Sequence, residues 1–183
     1  MADTATGLGT GLGTGLDTGL DKGGLDKRTL RNAFGRFATG VTVITTVDRA
    51  GVPVGLTANS FSSLSLDPAL VLWSIDKGSS CIDAFKEAEG FVIHVLADDQ
   101  ADLSKRFARL ATEERVQGLD FKLNKRGIPV LEGSCARFEC RTAATHEGGD
   151  HLILVGEVEA LETSDRDPLL FWGGQYRALA PAG

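Results

Sequence analysis

The spacing of apolar residues changes along this chain, and the changes divide it into elements. Leu30, Ala33, Phe34 and Phe37 recur at helical intervals, with Thr29 placed as a cap and Thr39-Gly40 as a stop. VTVITTV (41–47) is a β-branched run, and beyond Asp48-Arg49-Ala50-Gly51 the run 52–57 completes a predicted hairpin. Strands at 70–75 and 91–96 flank a helix at 80–89 that turns Ile82 and Phe85 inward and closes at Gly90. A further helix, 98–110, sets Leu103 and Phe107 on one face. After an irregular stretch, 133–145, 151–161, 169–171 and 176–179 read as strands. The strands do not alternate with long helices, which argues against a doubly wound parallel sheet. Short strands with glycine-rich corners instead predict a mainly β chain, an antiparallel β-barrel with helical insertions.

The first 26 residues follow neither period. They form a degenerate Gly-Thr-Gly-Leu repeat that holds eight of the chain's 23 glycines between Gly7 and Gly24. Leucines spaced by glycine and threonine cannot offset their ordering entropy by burial, so 1–26 is expected to be a disordered leader and 27–183 the folded domain. The repeat imitates a phosphate loop, but no window satisfies GxGxxG and no strand precedes it.

Charge narrows the function. Of the 183 residues, 19 are Lys or Arg and 25 are Asp or Glu, a net charge of −6. That balance argues against nucleic acid as a partner while leaving room for a local site for an anionic ligand. No apolar run approaches the roughly 20 residues of a membrane helix, and no basic start leads into an apolar signal core. Cys81, Cys135 and Cys140 are an odd set without CxxC, and the last two, five apart, fall on opposite faces of a strand. A disulfide framework and a thiolate metal site are therefore not expected, and the reducing cytoplasm is the expected compartment. His94 lies within a strand, whereas His146 and His151 are separated by glycines that suit a turn, so no metal site is expected.

No P-loop, GxSxG elbow, HExxH or Rossmann fingerprint occurs. Chemistry concentrates instead in polar segments. Residues 55–68 (GLTANSFSSLSLDP) carry hydroxyls and a carboxamide between two strands, suited to a phosphate or a heteroaromatic ring edge. The turn 76–80 (DKGSS) opens a helix whose free N–H groups suit a phosphate. Glu147-Gly148-Gly149-Asp150-His151 brings an acceptor beside a group that donates near neutral pH. The closing segment 167–177 is aromatic and glycine-rich. Hydrophilic loops, a plain hairpin turn and a final core strand would use the same residue types.

Taken together, 34–46 (FGRFATGVTVITT), 56–70 (LTANSFSSLSLDPAL), 91–107 (FVIHVLADDQADLSKRF), 148–156 (GGDHLILVG) and 168–177 (PLLFWGGQYR) resemble, in order, the short-chain flavin reductase family. These are the reductase halves of two-component flavin-dependent monooxygenases. The resemblance implies an FMN-binding split barrel of Greek-key topology, a homodimer, and reduction of FMN or FAD by NADH or NADPH. The reduced flavin would then diffuse to a partner monooxygenase. It places Thr57, Ala58, Asn59, Ser60 and Phe61 along the flavin ring and ribityl chain, and Ser62, Ser63, Ser79 and Ser80 where phosphate or ribityl contacts are expected. It places Phe107 and the turn carrying Arg36, Phe37 and Thr39 where the family closes over flavin or admits nicotinamide. Gly149, Asp150 and His151 match the family's GDH motif for the nicotinamide dinucleotide, with Tyr176 near the same mouth and His151 positioning the nicotinamide. The chain departs from the family at His94, where relatives usually carry asparagine. A flavin carrier without enzymatic activity, or a barrel enzyme that retains its flavin and reduces another acceptor, would share the same segments.

Overall fold

The computed structural model describes residues 20–21 and 24–180, which divide into two compact units between Phe34 and Gly35. In the first unit, β1 (Leu20–Asp21) pairs antiparallel with β2 (Gly24–Leu25), so the described part of the predicted leader forms a short ladder; the rest of it lies outside the described residues. Helix α1 (Lys27–Phe34) stops short of Phe37 and buries none of its side chains. Its start is capped by Asp26 rather than Thr29: Asp26 Oδ2 accepts the Thr29 N–H at 2.9 Å. The backbone N–H groups of Thr29 and Arg28 hold the Asp26 carboxyl below its ordinary range.

The second unit opens with β3 (Thr39–Gly40), β4 (Thr42–Val47), β5 (Pro53–Ala58), β6 (Ser62–Leu66) and β7 (Ala69–Asp76). Next come α2 (Ile82–Glu87), β8 (Gly90–Val95), a 3-10 turn (Asp98–Gln100) continuing into α3 (Ala101–Arg109), and α4 (Thr112–Arg115). It closes with β9 (Lys122–Leu123), β10 (Pro129–Val130), β11 (Ala136–Gly148), β12 (His151–Thr163), β13 (Leu170–Trp172) and β14 (Gln175–Arg177). Seven strands form one antiparallel sheet in the order β5-β4-β8-β11-β12-β7-β6, and β14-β13-β3 and β10-β9 form two smaller ladders. The mainly β, antiparallel class is the one the sequence predicts. The large sheet's described ladder is open, with β5 and β6 at its edges.

Local chemistry explains the elements. In the β4–β5 turn, Asp48 Oδ1 accepts the N–H groups of Ala50 and Val52, each at 2.8 Å, and Gly51 takes φ +77°. The threonines of the β-branched run are buried yet satisfied: Thr42, Thr45 and Thr46 donate to the carbonyls of Ala58, Pro129 and Gly90 at 2.7 to 2.8 Å. The helix read at 80–89 is shorter, because Ser79 donates its N–H to the Asp76 carbonyl (2.9 Å) in a turn and Ala88 is already extended. Three features lie where loop was expected. β6 falls within the polar segment 55–68, and α4 and the β9–β10 ladder lie in the stretch read as irregular.

The main core gathers on Trp73, which meets Phe85 and Phe91 edge-on at ring-centroid distances of 4.9 and 5.7 Å. A second cluster joins Val41, Val43, Leu96, Phe107, Leu131 and Leu169, with Phe171 and Tyr176 packed against it. All three cysteines are free thiols, and burial pushes the Cys140 thiol up to about 12.

Candidate active site

A cleft of about 320 Å³ opens where the end of β5 faces the end of β7. Leu56, Thr57 and Ala58, continuing into Asn59 and Ser60, form one wall; Ser74, Ile75, Asp76 and Ser79 form the other. Phe107 and Ala108 of α3, Arg115 of α4 and His151 at the start of β12 complete the lining. A second cavity of about 200 Å³ shares Thr57, Ala58, Asn59 and Ala108 and is bounded by Val41, Ser104, Phe171 and Tyr176. Thr57–Asn59 thus stands between two adjoining spaces. A larger cavity, about 410 Å³, lies against β9, β11 and β12, where Arg126 is already paired with Glu159 (2.7 Å).

Side-chain chemistry assigns different duties to the expected residues. Thr57 spends its hydroxyl on the Ser104 carbonyl (2.7 Å), which ties β5 to α3. Ser60 Oγ donates to the Ser74 carbonyl and accepts the Ser74 N–H, both at 3.0 Å, joining the loop to β7. Neither hydroxyl points at an open partner, so these two residues shape the wall. The Asn59 carboxamide has no described protein partner and stands at the junction of both cavities. Phe107 is fully buried beneath the wall. A Cβ on Gly55 would come within 2.7 Å of Phe107 Cε1, so the glycine lets the ring approach β5 closely.

Some expected residues stand elsewhere. Phe61 stacks on Phe138 at 5.6 Å, and Ser62 and Ser63 are exposed on β6; none of the three lines the cleft. Ser80 is turned onto the Thr112 hydroxyl (2.7 Å), away from the lining set that includes Ser79. Arg36 lies over the Trp172 ring (5.3 Å to its centroid), Phe37 is exposed, and Thr39 pairs with Phe171 beside the second cavity.

The GDH segment is a tight hairpin tip. Gly149 takes φ +70°, and the Lys77 ammonium, on the Gly149 carbonyl at 2.6 Å, also pairs with Glu147. The tip is thereby fastened to the turn after β7. His151 Nδ1 lies 2.7 Å from Asp150 Oδ1, which leaves Nε2 as its remaining nitrogen at the cleft. Tyr176 lines the second cavity, with its hydroxyl 2.8 Å from Ser104 Oγ and its ring edge-on to Phe171.

Sequence reasoning missed Ser74, Ala108 and Arg115, and it reached Asp76 only as the first residue of the polar turn 76–80. Ser74 follows from strand alternation opposite Ser60. Arg115 carries no motif and reaches the site only because α4 packs beside β5.

The donor set and the paired cavities suit a flavin beside a second planar ring, since about 320 Å³ falls in the range of small-molecule sites and the shared wall offers an uncommitted carboxamide. Residues 34–180 match the flavin reductase like domain. The chain is 53% identical over 154 residues to the FMN reductase (NADH) SmoA of Agrobacterium fabrum, covering 84% of this chain and 87% of that protein. It is 40% identical over 160 residues to HsaB of Mycobacterium tuberculosis, the reductase subunit of a flavin-dependent monooxygenase, covering 86% and 84% of the two chains. Some relatives are longer: the chain spans 50% of a probable flavin reductase of Rhizobium meliloti at 45% identity. Among solved structures, the NADH:FAD oxidoreductase SgcE6 of Streptomyces globisporus, in complex with NAD and FAD fragments, superposes with a TM-score of 0.80. That match has 37% identity and covers 85% of this chain and 94% of that one. With the match spanning nearly the whole second unit, this chain belongs to the flavin reductase like domain family.

Proposed function

We propose that this protein is an NADH-dependent flavin reductase that releases reduced FMN or FAD to a partner monooxygenase. The observation that carries the reading is the shared wall Thr57–Asn59, which sets a cleft of about 320 Å³ beside an adjoining cavity of about 200 Å³. Flavin, when bound, supplies the electron-accepting ring that takes a hydride from nicotinamide. The protein's part is to hold two rings in contact and keep water away. Asn59 offers a donor and an acceptor to a ring edge, and the buried Phe107 closes the floor. His151, oriented by Asp150, presents Nε2 to position the nicotinamide, with Gly149 leaving the approach open. No side chain has to act as a nucleophile.

The names of SmoA and HsaB support FMN, NADH and a monooxygenase partner. Exposed Leu64 and Leu66 on the edge strand β6 support a homodimer, and three free thiols support a cytoplasmic setting. No described helix is long and apolar enough to cross a membrane.

The test is NADH oxidation by the purified chain with FMN, with FAD and with neither. Saturable oxidation that depends on micromolar added flavin is expected. No oxidation with either flavin, or flavin-independent reduction of another acceptor, would overturn the proposal. In the same assay, His151→Ala is expected to raise KM for NADH while leaving flavin affinity unchanged; unaltered kinetics would remove the positioning role.

A further inference from the structure

Ser104 lies inside α3 with none of its surface exposed. Serine fits a helix interior less well than alanine, and a buried hydroxyl costs free energy unless it finds a partner. Here the residue joins two walls of the site. Its carbonyl accepts the Thr57 hydroxyl at 2.7 Å, and its Oγ lies 2.8 Å from the Tyr176 hydroxyl. Phe107 and Ala108, three and four residues on, share its helix face and line the first cleft. Helix α3 thus carries the joint between β5 and β14.

Burial sets the direction of the Ser104–Tyr176 bond. Each hydroxyl has one proton to donate. Among the described residues Tyr176 is the sole partner of Ser104 Oγ, so a bond donated by Tyr176 would leave the serine proton enclosed without an acceptor. Ser104 is therefore the donor and the Tyr176 oxygen the acceptor, and the phenolic proton remains. Tyr176 is half-buried; Phe171 meets its ring edge-on at 5.6 Å, and the Lys105 ammonium lies 6.0 Å over the ring centroid. It borders the second cavity beside Asn59, where Val41, Ala58, Ala108 and Phe171 are apolar and the Thr57 hydroxyl is already engaged. A donor so placed in an apolar slot suits an exocyclic carbonyl on a planar ring.

We infer that Ser104 is a positioning residue: by donating to Tyr176 it fixes the phenol at the second cavity and turns the phenolic proton toward an exocyclic carbonyl of the ring that enters there. The inference rests on the reading above, in which a flavin and a nicotinamide meet across Thr57–Asn59. Both rings carry such a carbonyl, and binding tells them apart.

Tyr176 is the chain's one tyrosine, so Raman spectroscopy of the full chain reads this phenol alone. The intensity ratio of the tyrosine doublet falls when the phenolic oxygen ceases to accept a hydrogen bond. Ser104→Ala keeps the carbonyl that holds Thr57 and is expected to lower that ratio in the ligand-free protein. The same variant should weaken one ligand only, about 2- to 10-fold, the range for one neutral hydrogen bond. A raised KM for NADH assigns the second cavity to nicotinamide; a weaker FMN affinity, read by fluorescence quenching, assigns it to flavin. Tyr176→Phe should weaken the same ligand at least as much, and adding Ser104→Ala to it should change nothing further. An unchanged Raman ratio, equal weakening of both ligands, weakening of neither, or independent effects in the double variant would each overturn the inference. If Ser104→Ala fails to fold, Tyr176→Phe decides, and an unchanged KM and FMN affinity there overturn it. A wild-type chain that neither binds FMN nor oxidises NADH would instead defeat the flavin reading itself, while the Raman ratio still tests the Ser104 bond.

Discussion

His94 is fully buried between two backbone segments, with Nδ1 3.0 Å from the Val43 carbonyl and Nε2 3.0 Å from the Leu131 N–H. A neutral ring protonated on Nδ1 satisfies both, donating to Val43 and accepting from Leu131. Desolvation lowers its pKa to about 4, with the Val43 hydrogen bond opposing the shift and the Arg137 charge adding to it. Because the folded value lies below the ordinary 6.5, the unfolded chain takes up the proton first as pH falls. The contribution of this group is therefore complete above pH 6.5 and is lost as pH falls toward 4, a span worth roughly 3 kcal/mol. Denaturant unfolding of the wild type across that window should show the loss. His94→Asn should show a flatter profile, since an amide also offers one donor and one acceptor without titrating. His94→Leu should lose about 2 kcal/mol or more even at neutral pH, because it strands a buried N–H and a buried carbonyl. A wild-type profile as flat as that of His94→Asn would refute the assignment. The sequence shows a histidine in an apolar strand where the family resemblance expects asparagine. That both residues can serve the same pair of backbone groups becomes clear only when Val43 and Leu131 are brought to either side.

Elements whose period is strong and whose turns are specified locally are legible in the chain. β4 and β5 are found to within a residue or so, because the β-branched run ends at an aspartate that collects two N–H groups and a glycine with positive φ. β6 escapes such reading because an exposed serine-rich edge strand has no buried face to impose alternation. Helix α4, four residues long, and the two-residue strands β9 and β10 are too short to carry a period at all. Glycines in strands have meaning that only packing reveals. At Gly156 on β12, a Cβ would fall 2.6 Å from Phe91 Cζ and 2.9 Å from Cys140 Cβ, so the glycine is what lets the β8 aromatic ring reach the sheet. At Gly55 on β5, the crowded ring is Phe107, the cleft floor. Gly156→Ala and Gly55→Ala should each destabilise the fold by about 1–3 kcal/mol through overpacking. Only Gly55→Ala should also weaken FMN binding in the protein that remains folded. Thermal unfolding and FMN titration of the two variants check this, and an undisturbed melting temperature for Gly55→Ala would contradict the packing argument.

On the scale of the whole molecule, the site is assembled from β5, β7, α3, α4 and the head of β12, segments that the chain spaces from residue 56 to residue 151. Its edge strand β6 leaves Leu64 half exposed and Leu66 almost wholly so. If those leucines are covered by a second copy, as the dimer proposal holds, light scattering should return twice the 19.3 kDa chain mass. Leu66→Lys should then shift that mass toward the monomer, and a monomeric wild type would overturn the proposal. The sequence by itself determined the antiparallel β class, because hydrophobic period and turn chemistry are local properties; the wall segment 56–60, Phe107 and the GDH turn it singled out as site residues only through a family resemblance. Tertiary structure decided which hydroxyls are spent on backbone carbonyls, that Phe61 faces Phe138 and not the cleft, and that Arg115 joins Ser79 in the lining of one cleft. Those facts depend on which distant strand or helix a side chain meets, and one chain's residue order does not encode that meeting in any single window.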